Sequence, residues 1–196
     1  MEQSAIKGDG IFMSWTGEGK HTVEEILSLP EGERAELLDG EIFGMGAPSR
    51  THQEILMWLS YHIYDFIKKK KGMCRVIQAP FGVFLKKDDR NYVEPDISVI
   101  CDLDKLDEKG CHGAPDWIIE IVSPSSKTMD YYKKPDAYKS AGVGEYWIVD
   151  ASKEIVVVYD LSEEEAPVVY RFTDNIKPHV FPELVLHFGE WQKKEG

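Results

Sequence analysis

Glu120 stands inside the apolar run Trp117-Ile118-Ile119-Glu120-Ile121-Val122, where a carboxylate must leave water. That costs several kcal/mol unless a cation or hydrogen-bond donors satisfy it. A carboxylate kept there points to functional charge, or to an Arg or Lys partner at the strand end. Asp96 is the second such residue, because Glu94-Pro95-Asp96 opens the run Ile97-Ser98-Val99-Ile100. Pro95 bars a fully paired central strand at that point. The strand is therefore expected to kink or fray at Asp96 and open it to a ligand; the alternative is a turn aspartate at a strand start. Two oxygen donors on adjacent β-segments suit Mg²⁺ or Mn²⁺, hard ions that take carboxylates and keep several waters. Such an ion lowers the pKa of water and offsets charge on a phosphate, so the chemistry implied is phosphoester hydrolysis.

A cation would complete this set. Strand alternation puts residue 122 on the face of Glu120, but Val122 is there. The next helix offers Lys133, Lys134 and Lys139. Lys134 shares a helical stripe with Asp130 and Tyr138, four residues away on either side, and could neutralise phosphate charge or orient water. Otherwise these lysines form a solvated face. No G-x-S-x-G elbow marks a serine hydrolase. Gly17-Glu18-Gly19-Lys20 is too short for a phosphate loop.

The elements that must hold these groups follow from pattern. Thr22 and Glu25 make a capping box, so a short helix runs to about Leu29. Asp39-Gly40 joins two short strand-like runs as a hairpin. Ser49 caps a helix whose apolar face is His52, Leu56, Leu59, Ile63 and Phe66, ending in Lys68 to Lys71 and Gly72. Strands are expected at Arg75–Ala79, Phe81–Leu85, Tyr92–Cys101 and Pro115–Val122, the last buried on both faces. A helix over about Met129–Ala141 closes at Gly142. The strand Glu145–Asp150, a hairpin from Ile155–Tyr159 and Val168–Phe172, and a last strand at Pro182–Phe188 follow. The fold class is therefore α/β or α+β with one main sheet.

The chain has 196 residues, 35 acidic and 23 basic, and a net charge of -12. The length fits one domain over residues 21–190, with a flexible arm at 1–20 and a tail at 191–196. The acidic balance weakens non-specific affinity for nucleic acid, although Lys68 to Lys71 and the Lys133, Lys134 and Lys139 group leave room for a local basic groove. No apolar run is long enough to span a bilayer. The N-terminus lacks the pattern of a signal peptide, so the expected compartment is the cytoplasm. Cys74, Cys101 and Cys111 are odd in number, and a reducing compartment needs no disulfide framework. Cys111-His112 lacks the C-x-x-C that would make it half of a zinc site.

These residues carry a family resemblance. The stretch from Ala114 to Ser126 (A-P-D-W-I-I-E-I-V-S-P-S-S), Met129 to Lys134 and Tyr138 to Asp150 resemble the core of a restriction-endonuclease family in the PD-(D/E)XK nuclease superfamily. So do the pieces from Thr22 to Leu27, Glu36 to Glu41 and Ser49 to Gln53. The resemblance covers about residues 20–190. It implies a restriction-endonuclease-like core, a central mixed β-sheet flanked by helices, with an extra N-terminal hairpin and C-terminal β-strands. It implies that Asp96 and Glu120 hold the metal, Glu120 in an E-x-V variant of E-x-K, with Lys134 replacing the usual lysine. Glu36 and His52 match further positions near the site, although His52 equally suits a hydrogen-bonded core histidine. Pro135 departs from the pattern: it restricts Lys134 and removes a helix hydrogen bond. The helix then either starts at Pro135 or bends there, with Lys133 in reserve.

The expected function is a Mg²⁺- or Mn²⁺-dependent endonuclease acting on DNA. The alternatives are a non-catalytic module of the same fold that binds a partner, and a phosphodiesterase for another phosphoester. Cutting both strands of a duplex with one site per chain would call for a homodimer.

Overall fold

The computed structural model describes residues 20–192. The expected arm, apart from Lys20, and all but Trp191 and Gln192 of the expected tail lie outside them. The chain begins with helix α1 (Val23–Leu27), opened by the expected capping box, in which Glu25 accepts from the Thr22 amide at 2.7 Å. Strands β1 (Ala35–Leu38) and β2 (Glu41–Gly44) form the hairpin. Asp39 and Gly40 turn it with φ of 49° and 83°, the left-handed pair that a tight hairpin demands. Helix α2 (Arg50–Lys69) is capped by the Ser49 hydroxyl, which accepts from the His52 amide.

Strands β3 (Arg75–Gln78), β4 (Val83–Phe84), β5 (Tyr92–Val93) and β6 (Ile97–Ile100) come next. The single strand expected over Tyr92–Cys101 is in fact β5 and β6, which belong to different sheets. The break falls at Glu94-Pro95-Asp96, where Pro95 cannot donate to a ladder. After β7 (Leu106–Asp107) and β8 (Gly110–His112) comes β9 (Trp117–Ile121), buried at every position.

Between β9 and β10 (Glu145–Asp150) the chain makes a π-helical turn over Met129–Lys133 and then α3 (Lys134–Ala141), with Gly142 at φ 90° as its left-handed cap. Strands β11 (Ile155–Asp160) and β12 (Val168–Arg171) pair as expected. Pro182–Phe188 forms no strand; it contributes one bridge, Ile176 to Leu186, and packs its apolar side chains inward. The short helix α4 (Gly189–Gln192) ends the described chain.

The main sheet has the order β12-β11-β10-β9-β6-β3, with β9 and β10 parallel and its other pairs antiparallel. The N-terminal hairpin extends into a second sheet, β2-β1-β5-β4-β8-β7. Alternation divides the core. Trp117, Ile119 and Ile121 pack with α2 residues such as Ile55 and Leu59 and with Phe172 and Phe188. Ile118, Tyr146 and Ile148 pack on the opposite face with Tyr138 of α3 and with Leu38 and Val93 of the second sheet. This double covering explains the unbroken apolar runs of β9 and β10.

Cys74 and Cys101 form a disulfide, contrary to the expectation of free thiols. The register Arg75 to Ile100 places the two cysteines opposite each other just beyond the ends of β3 and β6. Cys111 is buried and free, and His112 pairs with Asp107. Among the described residues no helix is long and apolar enough to cross a membrane.

Candidate active site

The β6–β9 register pairs Ile97 with Ile119. Carried back by one residue, it sets Asp96 opposite Glu120, on one face and adjacent in space. The contacts agree. Asp96 donates its amide toward Glu120 Oε2 at 3.4 Å, and Asp96 Oδ2 accepts from the Ile121 amide at 2.8 Å. The same Oδ2 meets His52 Nε2 at 3.0 Å. His52 Nδ1 is buried without a partner, so the proton belongs on Nε2, where Asp96 accepts it. His52 thus reaches the site from the first turn of α2. It is at once a hydrogen-bonded core histidine and a neighbour of Asp96.

Lys134 is 3% exposed and lies at the centre. Its Nζ is 2.8 Å from Glu120 Oε1, 2.8 Å from Glu36 Oε2 and 3.5 Å from Asp130 Oδ1. Pro135 does not turn it away. Lys134 keeps helical angles of φ -63° and ψ -38°, and the wider π-helical turn before it accommodates the proline at the start of α3. Of the two expected arrangements, α3 starting with Pro135 in its first turn is the one present, and Lys134 points inward. Lys133 points elsewhere: its Nζ donates to Glu41 at 2.6 Å and sits over the Phe43 ring. Glu54 also lies apart, paired with Arg50.

Glu36 enters from β1 of the second sheet and accepts from the Glu94 amide at 3.0 Å, which fixes its angle toward Lys134. Two members of the cluster were visible in the sequence only as stripe mates of Lys134. Tyr138 donates its hydroxyl to Glu120 Oε1 at 2.8 Å. Asp130 is buried, accepts from the Ser126 hydroxyl at 2.6 Å, and has an Oδ1 without a hydrogen bond. The four-residue spacing was their signal, and the burial of that stripe was the missing fact.

The electrostatics are lopsided. Glu36, Glu120 and Asp130 contact the one ammonium of Lys134, and Asp96 lies beside Glu120. Burial raises the Glu120 carboxyl well above its usual range, and Asp96, Asp130 and Glu36 add to the rise while Lys134 opposes it. Burial pushes Asp130 up to about 6, again against Lys134. Burial alone would lower the Lys134 ammonium, but Glu120, Glu36 and Asp130 outweigh it and hold it charged.

The cluster borders a cavity of about 330 Å³ whose lining includes Glu36, His52, Asp96, Glu120, Ser123 and Lys134. The donor set fits a hard divalent cation. Asp96 Oδ1 has no hydrogen bond among the described residues, and Glu120 Oε2 has only the long contact to Asp96. The negative excess invites positive charge. Among the described residues no three His, Cys, Asp or Glu side chains form a ready-made cage.

The fold is that of the restriction-endonuclease-like class. Residues 23–189 match the Uma2 family, described as "Putative restriction endonuclease", and the chain belongs to that family. A solved structure from Anabaena variabilis ATCC 29413, described as "a putative nuclease belonging to DUF820", shares the fold with a TM-score of 0.72. It is 23% identical, over 88% of this chain and 97% of that one. An uncharacterised protein of Synechocystis sp. is 29% identical over 113 residues, which span 57% of this chain and 58% of that protein.

Proposed function

We propose that the chain is a divalent-metal-dependent endonuclease that hydrolyses phosphodiester bonds in DNA. The observation that carries this reading is the placement of Asp96 opposite Glu120 at a cavity, with the Lys134 ammonium bound to Glu120. Asp96 Oδ1 and Glu120 Oε2 would hold Mg²⁺ or Mn²⁺. When bound, such an ion supplies Lewis-acid charge stabilisation and acidifies water at neutral pH.

The chain's own residues do the rest. His52 and the Ile121 amide fix the rotamer of Asp96. Tyr138 and Lys134 fix Glu120. Lys134, held charged by its carboxylates, lies beside the cavity, where a phosphate oxygen gains charge in the transition state. Glu36 orients Lys134 from the opposite sheet.

Calorimetry with Mn²⁺ and Mg²⁺, paired with cleavage of plasmid and oligonucleotide DNA, tests the reading. The expected result is metal binding that is lost in Glu120→Ala, and cleavage that EDTA stops. Cleavage that survives EDTA, or absence of metal binding both with and without DNA, overturns it.

A further inference from the structure

The Lys134 ammonium is fully engaged by the chain's own carboxylates, Glu36, Glu120 and Asp130. A polyanion that enters the cavity needs a further cation. Among the described residues that line the cavity, Arg34 is the one other lysine or arginine. Its place follows from the hairpin. The Met45 amide donates to the Arg34 carbonyl at 2.9 Å, which extends the β1–β2 ladder by one pair beyond Ala35 and Gly44. Alternation puts Arg34 on the face of Glu36, while Ala35 and Leu37 pack into the N-terminal core on the other side. Arg34 and Glu36 thus stand one strand repeat apart, about 7 Å, and both line the cavity.

The guanidinium is already oriented. Arg34 Nε and Nη2 both donate to Glu94 Oε2, the first at 2.8 Å. Tyr92 donates its hydroxyl to Glu94 Oε1 at 2.9 Å, and the Glu94 amide donates to Glu36 Oε1 at 3.0 Å. Glu94 therefore ties the arginine to the residue that orients Lys134. Glu94 occupies one edge of the guanidinium and is not among the residues that line the cavity. Arg34 Nη1 makes no hydrogen bond among the described residues. The Arg34 side chain is 36% exposed, against 4% for Lys134. A planar cation held on one edge and open on the other suits the oxygens of a phosphate.

We propose that Arg34 binds the phosphate next to the scissile one, so that the substrate is a phosphodiester chain and not an isolated phosphodiester. This rests on the nuclease reading: Lys134 serves the reacting phosphate, and Arg34 serves its neighbour. The offset of Arg34 from Glu36 is of the same order as the step from one phosphate to the next along a nucleic-acid strand. Arg34 positions the chain and takes no part in metal binding. The net charge of -12 repels a strand at long range, so the strand must be held by local contacts of this kind.

Fluorescence anisotropy of a short labelled single-stranded DNA, with Ca²⁺ in place of Mg²⁺, reads binding apart from cleavage. Arg34→Gln should weaken binding about tenfold or more, as loss of a hydrogen bond to a charged group does. It should also lower the slope of log affinity against log salt by about 0.7, and Arg34→Lys should restore that slope. Mn²⁺ affinity by calorimetry should stay at the wild-type value, because Arg34 pairs with Glu94 and not with Asp96 or Glu120. A second probe is a DNA cut at one mapped linkage, with a neutral methylphosphonate placed beside that linkage on either side. On one side the neutral linkage should cost wild type about as much as Arg34→Gln does, and should cost the variant nothing further. If Arg34 only braced Glu94, the neutral linkage would cost the variant and wild type alike, and that result overturns the proposal. Hydrolysis of bis(p-nitrophenyl) phosphate as efficient as that of DNA also overturns it. Both results leave EDTA-sensitive cleavage, and with it the nuclease reading, in place. A wild type that binds neither metal nor DNA overturns both.

Discussion

Asp96 and Glu120 occupy opposite positions on two antiparallel segments, and the backbone joins them as firmly as their side chains do. The Asp96 amide faces Glu120 Oε2, and the Ile121 amide donates to Asp96 Oδ2. Glu120→Gln keeps the shape and loses the charge. Activity with Mn²⁺ should fall by about 10²–10³-fold, the usual cost of one electrostatic contact to a transition state. The melting temperature of the EDTA-treated protein should stay the same or rise, because one of four crowded carboxylates is gone. A variant that kept full turnover would remove Glu120 from the chemistry.

Lys134 carries the opposite balance. Lys134→Met leaves Glu36, Glu120 and Asp130 buried without their cation. Loss of one partner from a buried charge set costs about 3–5 kcal/mol, which urea unfolding at neutral pH would read. Acidification should recover part of this loss, because the stranded carboxylates can then take up protons. A variant as stable as wild type at neutral pH would mean that the cluster does not depend on its ammonium.

Tyr138 touches the site only through Glu120. Tyr138→Phe removes the hydroxyl and leaves the ring in its core position, T-shaped against Tyr146. Loss of a hydrogen bond that orients a metal-holding carboxylate typically weakens metal affinity about 10–100-fold. Calorimetric titration with Mn²⁺ should show that weakening. Unchanged affinity would reduce Tyr138 to a packing residue.

The sequence showed its periodic elements and the strand carboxylates, and it hid whatever depends on long-range pairing. The cap at Ser49, the Asp39-Gly40 turn and the doubly buried β9 are local patterns, and each stands as expected. The split of Tyr92–Cys101 into two sheets was foreshadowed by Pro95, yet only the second sheet gives β5 a partner. Nothing local could have shown that Glu36 crosses between sheets to Lys134. Pro135 offered two readings, and the π-helical turn that decides between them is a tertiary accommodation. Cys74 and Cys101 meet only through the β3–β6 register, which their separation in sequence conceals.

That disulfide should contribute to stability. It closes a segment with a sequence separation of 27 residues, for which loop-closure entropy gives about 3.5 kcal/mol. Unfolding by urea with and without reductant, and in Cys74→Ser with Cys101→Ser, should show a loss of that order. A loss in reductant that is absent in the double serine variant would assign the effect to something other than the bridge.

Asp130 makes the carboxylate cluster sensitive to pH in a defined direction. Its carboxyl titrates at about 6 in the folded protein, against 3.8 as its ordinary value, chiefly because it is buried. The folded state therefore holds this proton more tightly than the unfolded chain does. The stabilising contribution is fully present below pH 3.8, declines as pH rises, and is lost above about 6. Other carboxylates, such as Asp150, are held below their usual range by hydrogen bonds and have the opposite slope, so the raw melting curve mixes both. Subtraction isolates the term. Asp130→Asn keeps an acceptor for the Ser126 hydroxyl and cannot ionise. The difference in stability between Asp130→Asn and wild type should grow in the variant's favour from pH 4 to pH 6.5 and then level off. A difference that stayed flat across that window would show that Asp130 is ionised throughout, and that Lys134 wins over burial at this position.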